Sequence, residues 1–299
     1  MEVSKKILFI KDWIVSYINS MPKKANSLVV GISGGIDSSV TSTLCAMTGL
    51  KTIVVSMPIK QISSQHNLSL KHKEWIIKKF NNVEPHIIEL DEVFKSFKST
   101  LLNFDSEHGF ANSRARIRMT TLYQVAAATK GIVVGTGNKV EDFGVGFYTK
   151  YGDGGVDISP IADCFKTEVW ELGKELGILD EIINAPPTDG LWDDGRTDVG
   201  QLGLSYKELE EAMKNPNSVN RTKYLKIRKL NIHKMDPNTG DPGFRIRAEA
   251  KGGETLNGQD QVDRYGAILS FDSVFFRLKE SQGGWCRSCK EAVGRIEGK

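Results

Sequence analysis

The chain has 299 residues, and its 39% hydrophobic and 26% charged residues are typical of a globular protein with a sizeable core. The 40 basic and 37 acidic residues nearly balance, so charge favours neither a nucleic-acid partner nor a membrane surface.

The N-terminal segment has the pattern of an amphipathic helix. Its apolar run, residues 7–10, is short and is followed by Lys11 and Asp12. A signal peptide or a membrane-spanning helix needs a longer run, and no stretch of the sequence approaches 18 apolar residues. Four cysteines are too few for a disulfide scaffold, so we expect a protein of the reducing cytoplasm.

Apolar, β-branched runs alternate with segments of helix length along the chain. Such alternation predicts βαβ units, and therefore an α/β fold with a doubly wound parallel sheet flanked by helices. Ligands bind beyond the carboxyl ends of the strands in such sheets. Residues 135–155 and 185–204 are rich in Gly and Asp and are expected to form long loops. The predicted strands are 28–32, 52–57, 86–90 and 132–135, and the predicted helices are 65–81, 112–130 (beginning at Asn112-Ser113), 165–176, 205–214 and 217–230.

A glycine-rich turn follows the first predicted strand, where residues 28–39 are LVVGISGGIDSS. Glycines let backbone N–H groups approach phosphate oxygens, and a helix N-terminus adds unpaired donors and partial positive charge. The turn lacks the lysine of a Walker loop. The missing charge is therefore expected from a divalent cation, which Asp37 is placed to hold. The alternative is a tight strand–helix turn that binds no ligand.

The glycine-rich turn resembles the pyrophosphate loop of the N-type ATP pyrophosphatases, which have a Rossmann-like fold. These enzymes cleave ATP between the α and β phosphates, adenylate a substrate and release diphosphate. Because their substrates differ widely, the loop indicates the energy source and not the product.

A second block, residues 132–160, reads IVVGTGNKVEDFGVGFYTKYGDGGVDISP. Together with RARIRM around Arg116, APPTDGLW around Thr188 and NIHKMDP around His233, it resembles the ammonia-dependent NAD synthetases. The resemblance covers about residues 5–237. It implies a reaction in which deamido-NAD+, ATP and ammonia give NAD+, AMP and diphosphate.

The resemblance implies a role for each matching residue. Mg²⁺ would be held by Asp37 and Glu141, Lys166 would supply charge to the phosphates, and Asp153 would help to deprotonate ammonium. The implied ATP site consists of Gly31, Ile32, Ser33, Gly34, Gly35, Ile36, Asp37, Ser38, Thr136, Lys166 and Thr188. The implied deamido-NAD+ site consists of Arg116, Phe143, Phe147, Lys150, Asp157, His233 and Lys234.

Each of these residues has a plainer interpretation when it is taken alone. Lys150 and Lys166 could be solvated surface lysines, which is the usual environment of lysine. Phe143 and Phe147 are four residues apart and could pack in the core. The shared order and spacing of the motifs is what favours the functional interpretation.

The chain departs from the family pattern in two places. The spacing between Thr136 and Lys150 is one residue longer than in the commonest bacterial pattern, which leaves open whether Glu141 or Asp142 faces the metal. Residues 238–299 match no motif and are predicted to be a separate extension, either partner-binding or poorly ordered. Cys286 and Cys289 in this extension could be half of a zinc site, a redox pair or an unremarkable thiol pair.

The expected partners follow from the same resemblance. No glutamine-hydrolysing region is recognised, and Cys164 has no obvious base beside it, so ammonia is expected to arrive free or from an ammonia-supplying protein. The family works as a homodimer with the dinucleotide at the subunit interface. The rival hypotheses are a GMP synthetase-like or tRNA-modifying enzyme of the same ATP group, and a non-catalytic ATP-binding protein.

Overall fold

A computed structural model describes residues 2–59, 63–192 and 194–235. These residues belong to one compact unit that ends at Pro237. The predicted extension 238–299, including Cys286 and Cys289, lies outside the described residues.

The described residues contain one sheet of four parallel strands in the order β3-β2-β1-β4. Leu28 pairs with Thr52 on one side and with Ile132 on the other, and Ile158 adds a parallel bridge to Val134. The carboxyl ends of β1 and β4 are therefore neighbours. The strands are β1 (Leu28–Gly31), β2 (Thr52–Ser56), β3 (Val83–Ile87) and β4 (Ile132–Val134).

Helices cover both faces of the sheet, as predicted for a doubly wound fold. Val29 and Val133 pack with α4 and α5 on one face, whereas Val30 and Val134 pack with α1, α2 and α6 on the other. Because both faces of the central strands are buried, β1, β2 and β4 carry continuous apolar runs rather than alternating ones, whereas the edge strand β3 is polar and partly exposed. The helices are α1 (Val3–Ser20), α2 (Ile36–Met47), α3 (Ser63–Lys79), α4 (Asp91–Thr100), α5 (Glu107–Thr129), α6 (Lys166–Leu176), α7 (Asp180–Ile183), α8 (Asp198–Leu202), α9 (Tyr206–Lys214) and α10 (Arg221–Met235), with a 3₁₀ turn at Leu102–Phe104.

The helix predicted at 112–130 begins earlier than expected. Its N-cap is Ser106, whose hydroxyl accepts a hydrogen bond from the Gly109 N–H at 3.1 Å. Asn112 and Ser113 instead lie inside the helix, where their side chains donate to carbonyls one turn back. The choice of Asn112-Ser113 as the cap was therefore wrong, because polar side chains can also bond backward within a helix.

Other boundaries also differ from the prediction. The helix predicted at 65–81 lies at Ser63–Lys79, and the predicted loop 185–204 contains α8. β3 begins at Val83 and ends at Ile87, so it includes Pro85; an edge strand can accept proline because one row of its N–H groups has no sheet partner. The helix predicted at 217–230 lies at Arg221–Met235.

The predicted loop 135–155 contains a π-helix at Val140–Val145. A π-helix has i→i+5 hydrogen bonds, so each turn holds more residues than an α-helical turn. The π-helix packs with α9 and α10 in a small core separate from the two sheet faces, formed by residues such as Val140, Val145, Tyr206, Leu209 and Tyr224.

None of the helices in the described part of the chain is long and apolar enough to cross a membrane.

Candidate active site

A cavity of about 690 Å³ opens beyond the carboxyl ends of β1 and β4. Its walls come from residues 31–38, α5, the π-helix, the start of α6, residues 185–192 and residues 195–201. The volume is within the range for small-molecule sites, and the position is where a doubly wound sheet binds its ligands.

The glycine-rich turn, residues 33–38, is held in shape by its own side chains. The Ser33 hydroxyl accepts from the Gly35 N–H at 3.2 Å, and the Ser38 hydroxyl donates to the Gly35 carbonyl at 3.0 Å. Gly34 has a φ of +89°, a conformation that side chains with a Cβ rarely adopt. α2 then begins at Ile36, so the unpaired N–H groups of its first turn adjoin the cavity.

Lys166 lies between two carboxylates at the centre of the cavity wall. Its Nζ donates to Asp37 Oδ2 at 2.6 Å and to Glu141 Oε1 at 2.8 Å, and the residue is 2% exposed. Burial alone would lower the pKa of Lys166, but the two carboxylates raise it above its ordinary value. The structure therefore groups Asp37, Glu141 and Lys166 into one cluster, hereafter the Lys166 cluster.

The two carboxylates of the Lys166 cluster respond differently to their surroundings. Burial raises the pKa of Asp37, and the charge of Lys166 offsets this only in part. Burial would also raise the pKa of Glu141, but Lys166 and the Tyr206 hydroxyl lower it below its ordinary value. Glu141, and not Asp142, is the residue that shares Lys166 with Asp37.

Asn138 ties the two carboxylates together and was not foreseen from the sequence. The side chain is fully buried, and its Nδ2 donates to Asp37 Oδ1 at 3.0 Å. Its Oδ1 accepts from the backbone N–H groups of Val140 and Glu141, each at 3.1 Å. Asn138 therefore sets the position of Asp37 and the start of the π-helix together.

Tyr206 and Asp198 extend the Lys166 cluster and were also not foreseen. The Tyr206 hydroxyl lies 2.6 Å from Glu141 Oε1 and 2.7 Å from Asp198 Oδ2, and Lys166 Nζ lies 4.7 Å from the centre of the Tyr206 ring. Burial and then the charge of Glu141 raise the pKa of Asp198 to about 7. In the sequence, Ser205 and Glu208 on either side of Tyr206 have the pattern of a capping box. This pattern indicates the start of a helix but gives no indication of function.

Two more carboxyl groups line the cavity. Asp153 accepts from the Thr149 N–H at 2.9 Å, and partial desolvation by the protein atoms around it raises its pKa to about 6 despite that bond. Asp153 is exposed to the cavity, so solvent limits this rise. Burial and the charge of Glu141 raise the pKa of Asp142 well above its ordinary value, and a Cβ at Gly137 would overlap the Asp142 carboxylate.

All the residues predicted to contact ATP line the cavity, from Gly31 to Ser38 together with Thr136, Lys166 and Thr188. Two of the residues predicted for deamido-NAD+, Phe147 and Lys234, also line it. Lys234 Nζ donates to the carbonyls of Gly146 and Tyr148 at 2.9 Å.

The other residues predicted for deamido-NAD+ lie outside the cavity walls. Arg116, Lys150 and His233 adjoin one another, because Arg116 Nε donates to the Lys150 carbonyl at 3.3 Å and Lys150 Nζ donates to the His233 carbonyl at 2.8 Å. Asp157 Oδ2 accepts from the N–H of Val133 in β4 at 2.7 Å. The Phe143 carbonyl accepts from the Arg228 guanidinium.

The residues of the Lys166 cluster fit a divalent cation that completes its coordination with phosphate. Carboxylate oxygens are ligands that Mg²⁺ prefers, and Lys166 shows that a cation is favourable between them. Across the described ranges no group of three or more His, Cys, Asp or Glu is arranged to hold a metal. A bound Mg²⁺ would therefore take its remaining ligands from substrate and water.

The two described cysteines are not activated nucleophiles. Cys45 and Cys164 are buried free thiols, and burial raises the pKa of both, that of Cys164 to about 11. Such thiols stay protonated and do not provide the thiolate that glutamine hydrolysis by a cysteine would need.

Comparison with known proteins gave matches over most of the chain. The NAD synthase family matches residues 6–236. The NH(3)-dependent NAD(+) synthetase of Sulfurisphaera tokodaii is 36% identical over 236 residues, which cover 74% of this chain and 82% of that protein. NMN synthetase from Francisella tularensis has a TM-score of 0.74 and 28% identity, over 81% of this chain and 99% of that chain. NH3-dependent NAD synthetase from Campylobacter jejuni, in complex with the nitrate ion, has a TM-score of 0.63 and 26% identity, over 80% of this chain and 99% of that chain.

Proposed function

This chain belongs to the NAD synthase family, and on that premise we propose that it is an ammonia-dependent NAD+ synthetase. The nicotinate carboxylate of deamido-NAD+ attacks the α-phosphorus of ATP, and diphosphate leaves. Ammonia then attacks the acyl carbon, AMP leaves, and the nitrogen loses a proton to give the amide of NAD+. The Lys166 cluster beside a phosphate loop is the observation that carries this proposal.

In the first step, some protein groups bind the phosphates and others supply positive charge. The N–H groups at the start of α2 bind the anionic phosphates, and Lys166 places a full positive charge beside them. Asp37 and Glu141 would hold Mg²⁺, which neutralises the charge of the departing diphosphate. Thr136 and Thr188 line the same cavity and can donate hydroxyl hydrogen bonds to ATP.

Asp153 has the chemistry needed in the second step. With a pKa of about 6 it is mostly ionised at neutral pH, so it can attract ammonium and accept a proton from it. Phe147 and Lys234 border the same cavity and can contact the nicotinate end of the substrate.

We also propose that the enzyme is a cytoplasmic homodimer. Arg116, Lys150 and His233 adjoin one another outside the cavity of a single chain, so a second chain would enclose the dinucleotide over them. The two described cysteines are free thiols, which supports a reducing compartment. Ammonia would come from solution or from a separate ammonia-supplying protein.

A second candidate function is amidation of nicotinate mononucleotide. The observation that favours it is the structural similarity to an NMN synthetase, with a TM-score of 0.74. The two substrates carry the same reacting carboxylate and differ in the nucleotide attached to it. Residues that contact ATP would serve both reactions.

Product analysis tests these proposals. The purified full chain is incubated with ATP, Mg²⁺ and ammonium, and separately with deamido-NAD+, nicotinate mononucleotide or xanthosine monophosphate. We expect NAD+ and AMP in equal amounts from the first arm. Faster amidation of the mononucleotide would favour the second candidate, while ADP in place of AMP, or turnover with xanthosine monophosphate alone, would refute both.

A further inference from the structure

The Tyr206 hydroxyl is within hydrogen-bonding distance of two carboxyl groups, at 2.6 Å from Glu141 and 2.7 Å from Asp198. A hydroxyl has one proton and can donate to one acceptor only. Two short contacts are both hydrogen bonds only if one carboxyl group is protonated and donates to the hydroxyl oxygen. If both carboxyl groups were ionised, one pair of oxygens would face each other without a proton between them.

The proton belongs on Asp198 rather than on Glu141. Glu141 accepts a hydrogen bond from the Lys166 ammonium, which stabilises its charged form. Asp198 is 4% exposed, and among the described residues its Oδ1 has no hydrogen-bond partner. The charged and titratable groups that face Asp198 are Tyr206, Glu141, Lys166 and Asp189, and burial is the largest influence on it. A buried carboxyl group with one unbonded oxygen is more stable when it is neutral.

We propose that Tyr206 and a protonated Asp198 act as a positioning pair for the Lys166 cluster. Asp198 donates to the Tyr206 oxygen, Tyr206 donates to Glu141 Oε1, and the Tyr206 ring covers the ammonium of Lys166. The pair holds Glu141 and Lys166 in place for ATP and its cation. This inference rests on the proposed function.

The two residues of the pair come from different helices, and Asp198 also lines the cavity. Tyr206 is the first residue of α9, and Ser205 caps that helix. Asp198 begins α8 after the cap residue Thr197, and its N–H donates to the carbonyl of Pro187 at 3.0 Å. Pro187 precedes Thr188, so the pair links the loop that carries Thr188 to the Lys166 cluster.

The neutrality of Asp198 matters for the charge of the site. The Lys166 cluster already has two carboxylates for one ammonium. A third negative charge beside it would repel the phosphates of ATP. We therefore expect the pair to work below the pKa of Asp198 and to be lost as the pH rises through about 7, because a carboxyl group with a raised pKa keeps its proton up to that value.

The first test removes one oxygen from the pair. Tyr206→Phe keeps the ring over Lys166 and deletes the hydrogen bond to Glu141. We expect kcat to fall about 10- to 100-fold, the range for one hydrogen bond to a charged group, while the KM for deamido-NAD+ stays unchanged. Tyr224→Phe is the matched control, because Tyr224 is buried in the same small core but its hydroxyl lies beside Arg228 rather than Glu141, and its kcat should stay unchanged.

The second test compares Asp198→Asn with Asp198→Ala. An asparagine amide can donate to the Tyr206 oxygen at any pH, whereas alanine cannot. With free ammonia held constant, Asp198→Asn should keep most of the activity that the wild type has at about pH 6.5. It should also lose the decline that the wild type shows above about pH 7. Asp198→Ala should resemble Tyr206→Phe.

A measurement that does not depend on catalytic turnover tests this inference independently of the proposed function. Carboxyl ¹³C NMR of the metal-free wild type, with the Asp198 signal assigned by its loss in Asp198→Asn, should show Asp198 protonated at about pH 6. An Asp198 that is ionised at that pH, an Asp198→Asn variant as inactive as Asp198→Ala, or a fully active Tyr206→Phe variant would each overturn the pair. A wild type that makes no NAD+ would refute the function, and the NMR titration would still decide the protonation state.

Discussion

Replacement of Lys166 by methionine should destabilise the fold in a pH-dependent way. Methionine has a similar length and no charge, so Lys166→Met leaves Asp37 and Glu141 facing each other in a buried site. Removing one partner of a buried ion pair costs about 3–5 kcal/mol, because the remaining charge is left uncompensated. At about pH 7.5 we therefore expect the unfolding equilibrium constant to rise about a hundredfold or more.

The direction of the pH effect follows from proton binding. In Lys166→Met, one of the two carboxyl groups is expected to take a proton in the folded state, so its folded pKa rises above the unfolded value of about 4. A raised folded pKa contributes stability that is present below the unfolded pKa and is lost as the pH rises through the folded pKa. The loss of stability should accordingly be larger at about pH 7.5 than at about pH 5.

Urea unfolding of the wild type and Lys166→Met at both pH values, without Mg²⁺, measures this loss. Lys174→Met is the matched control, since Lys174 is exposed on the same helix, and it should change the free energy of unfolding by less than about 0.5 kcal/mol. A loss below about 1 kcal/mol for Lys166→Met, or one of equal size at both pH values, would show that Lys166 does not compensate the two carboxylates.

Three further substitutions test the parts of the site separately. Asp37→Ala should keep the circular dichroism spectrum of the wild type and lose Mg²⁺-dependent release of diphosphate; unchanged release would remove Asp37 from the metal site. Asn138→Ala should lower the free energy of unfolding by about 2–4 kcal/mol in urea, because it removes hydrogen bonds to Asp37 and to two backbone N–H groups; a smaller loss would mean that water replaces the amide. Gly34→Ala should cost about 1–2 kcal/mol and weaken ATP binding in calorimetry, since its φ is +89°; wild-type affinity would argue against a phosphate loop shaped by Gly34.

The sequence was sufficient where function lies in one continuous segment. Residues 31–38 follow a strand and begin a helix, so their place at the carboxyl edge of the sheet could be predicted. Thr136 follows the strand next to β1, and the parallel register brings it to the same edge. Local order along the chain was therefore enough to predict that residues 31–38 and Thr136 lie at the same end of the cavity.

The sequence was insufficient where the site depends on tertiary packing. Asn138, Asp198 and Tyr206 come from separate segments. Asn138 contacts Asp37, Tyr206 contacts Glu141, and Asp198 joins them through the Tyr206 hydroxyl. The small core of π-helix, α9 and α10 holds Tyr206 in place. Each has an ordinary local role as a loop residue or at a helix start. Their common function follows from three-dimensional contacts that no spacing rule describes.

Whether a given lysine is buried likewise could not be predicted from the sequence. Lys166 and Lys150 both had the surface as their usual environment, but Lys166 is buried between carboxylates while Lys150 extends to the His233 carbonyl outside the cavity. A charged lysine is rarely buried unless the fold provides opposite charge beside it. That charge comes from Asp37 and Glu141, which are distant from Lys166 in the chain.

The π-helix at Val140–Val145 has a consequence for how the length of this segment can change. One residue inserted into an ordinary α-helix would turn all following side chains by about 100° about the helix axis. A π-helical turn limits that rotation to the turn itself. Here the π-helix ends at Gly146, whose φ is +67°. Glu141 can thus keep its contact with Lys166, and the segment beyond Gly146 can keep its own orientation. Insertion or deletion at this turn is therefore expected to be tolerated, whereas the same change in α2 or α6 would disrupt the alignment of the site.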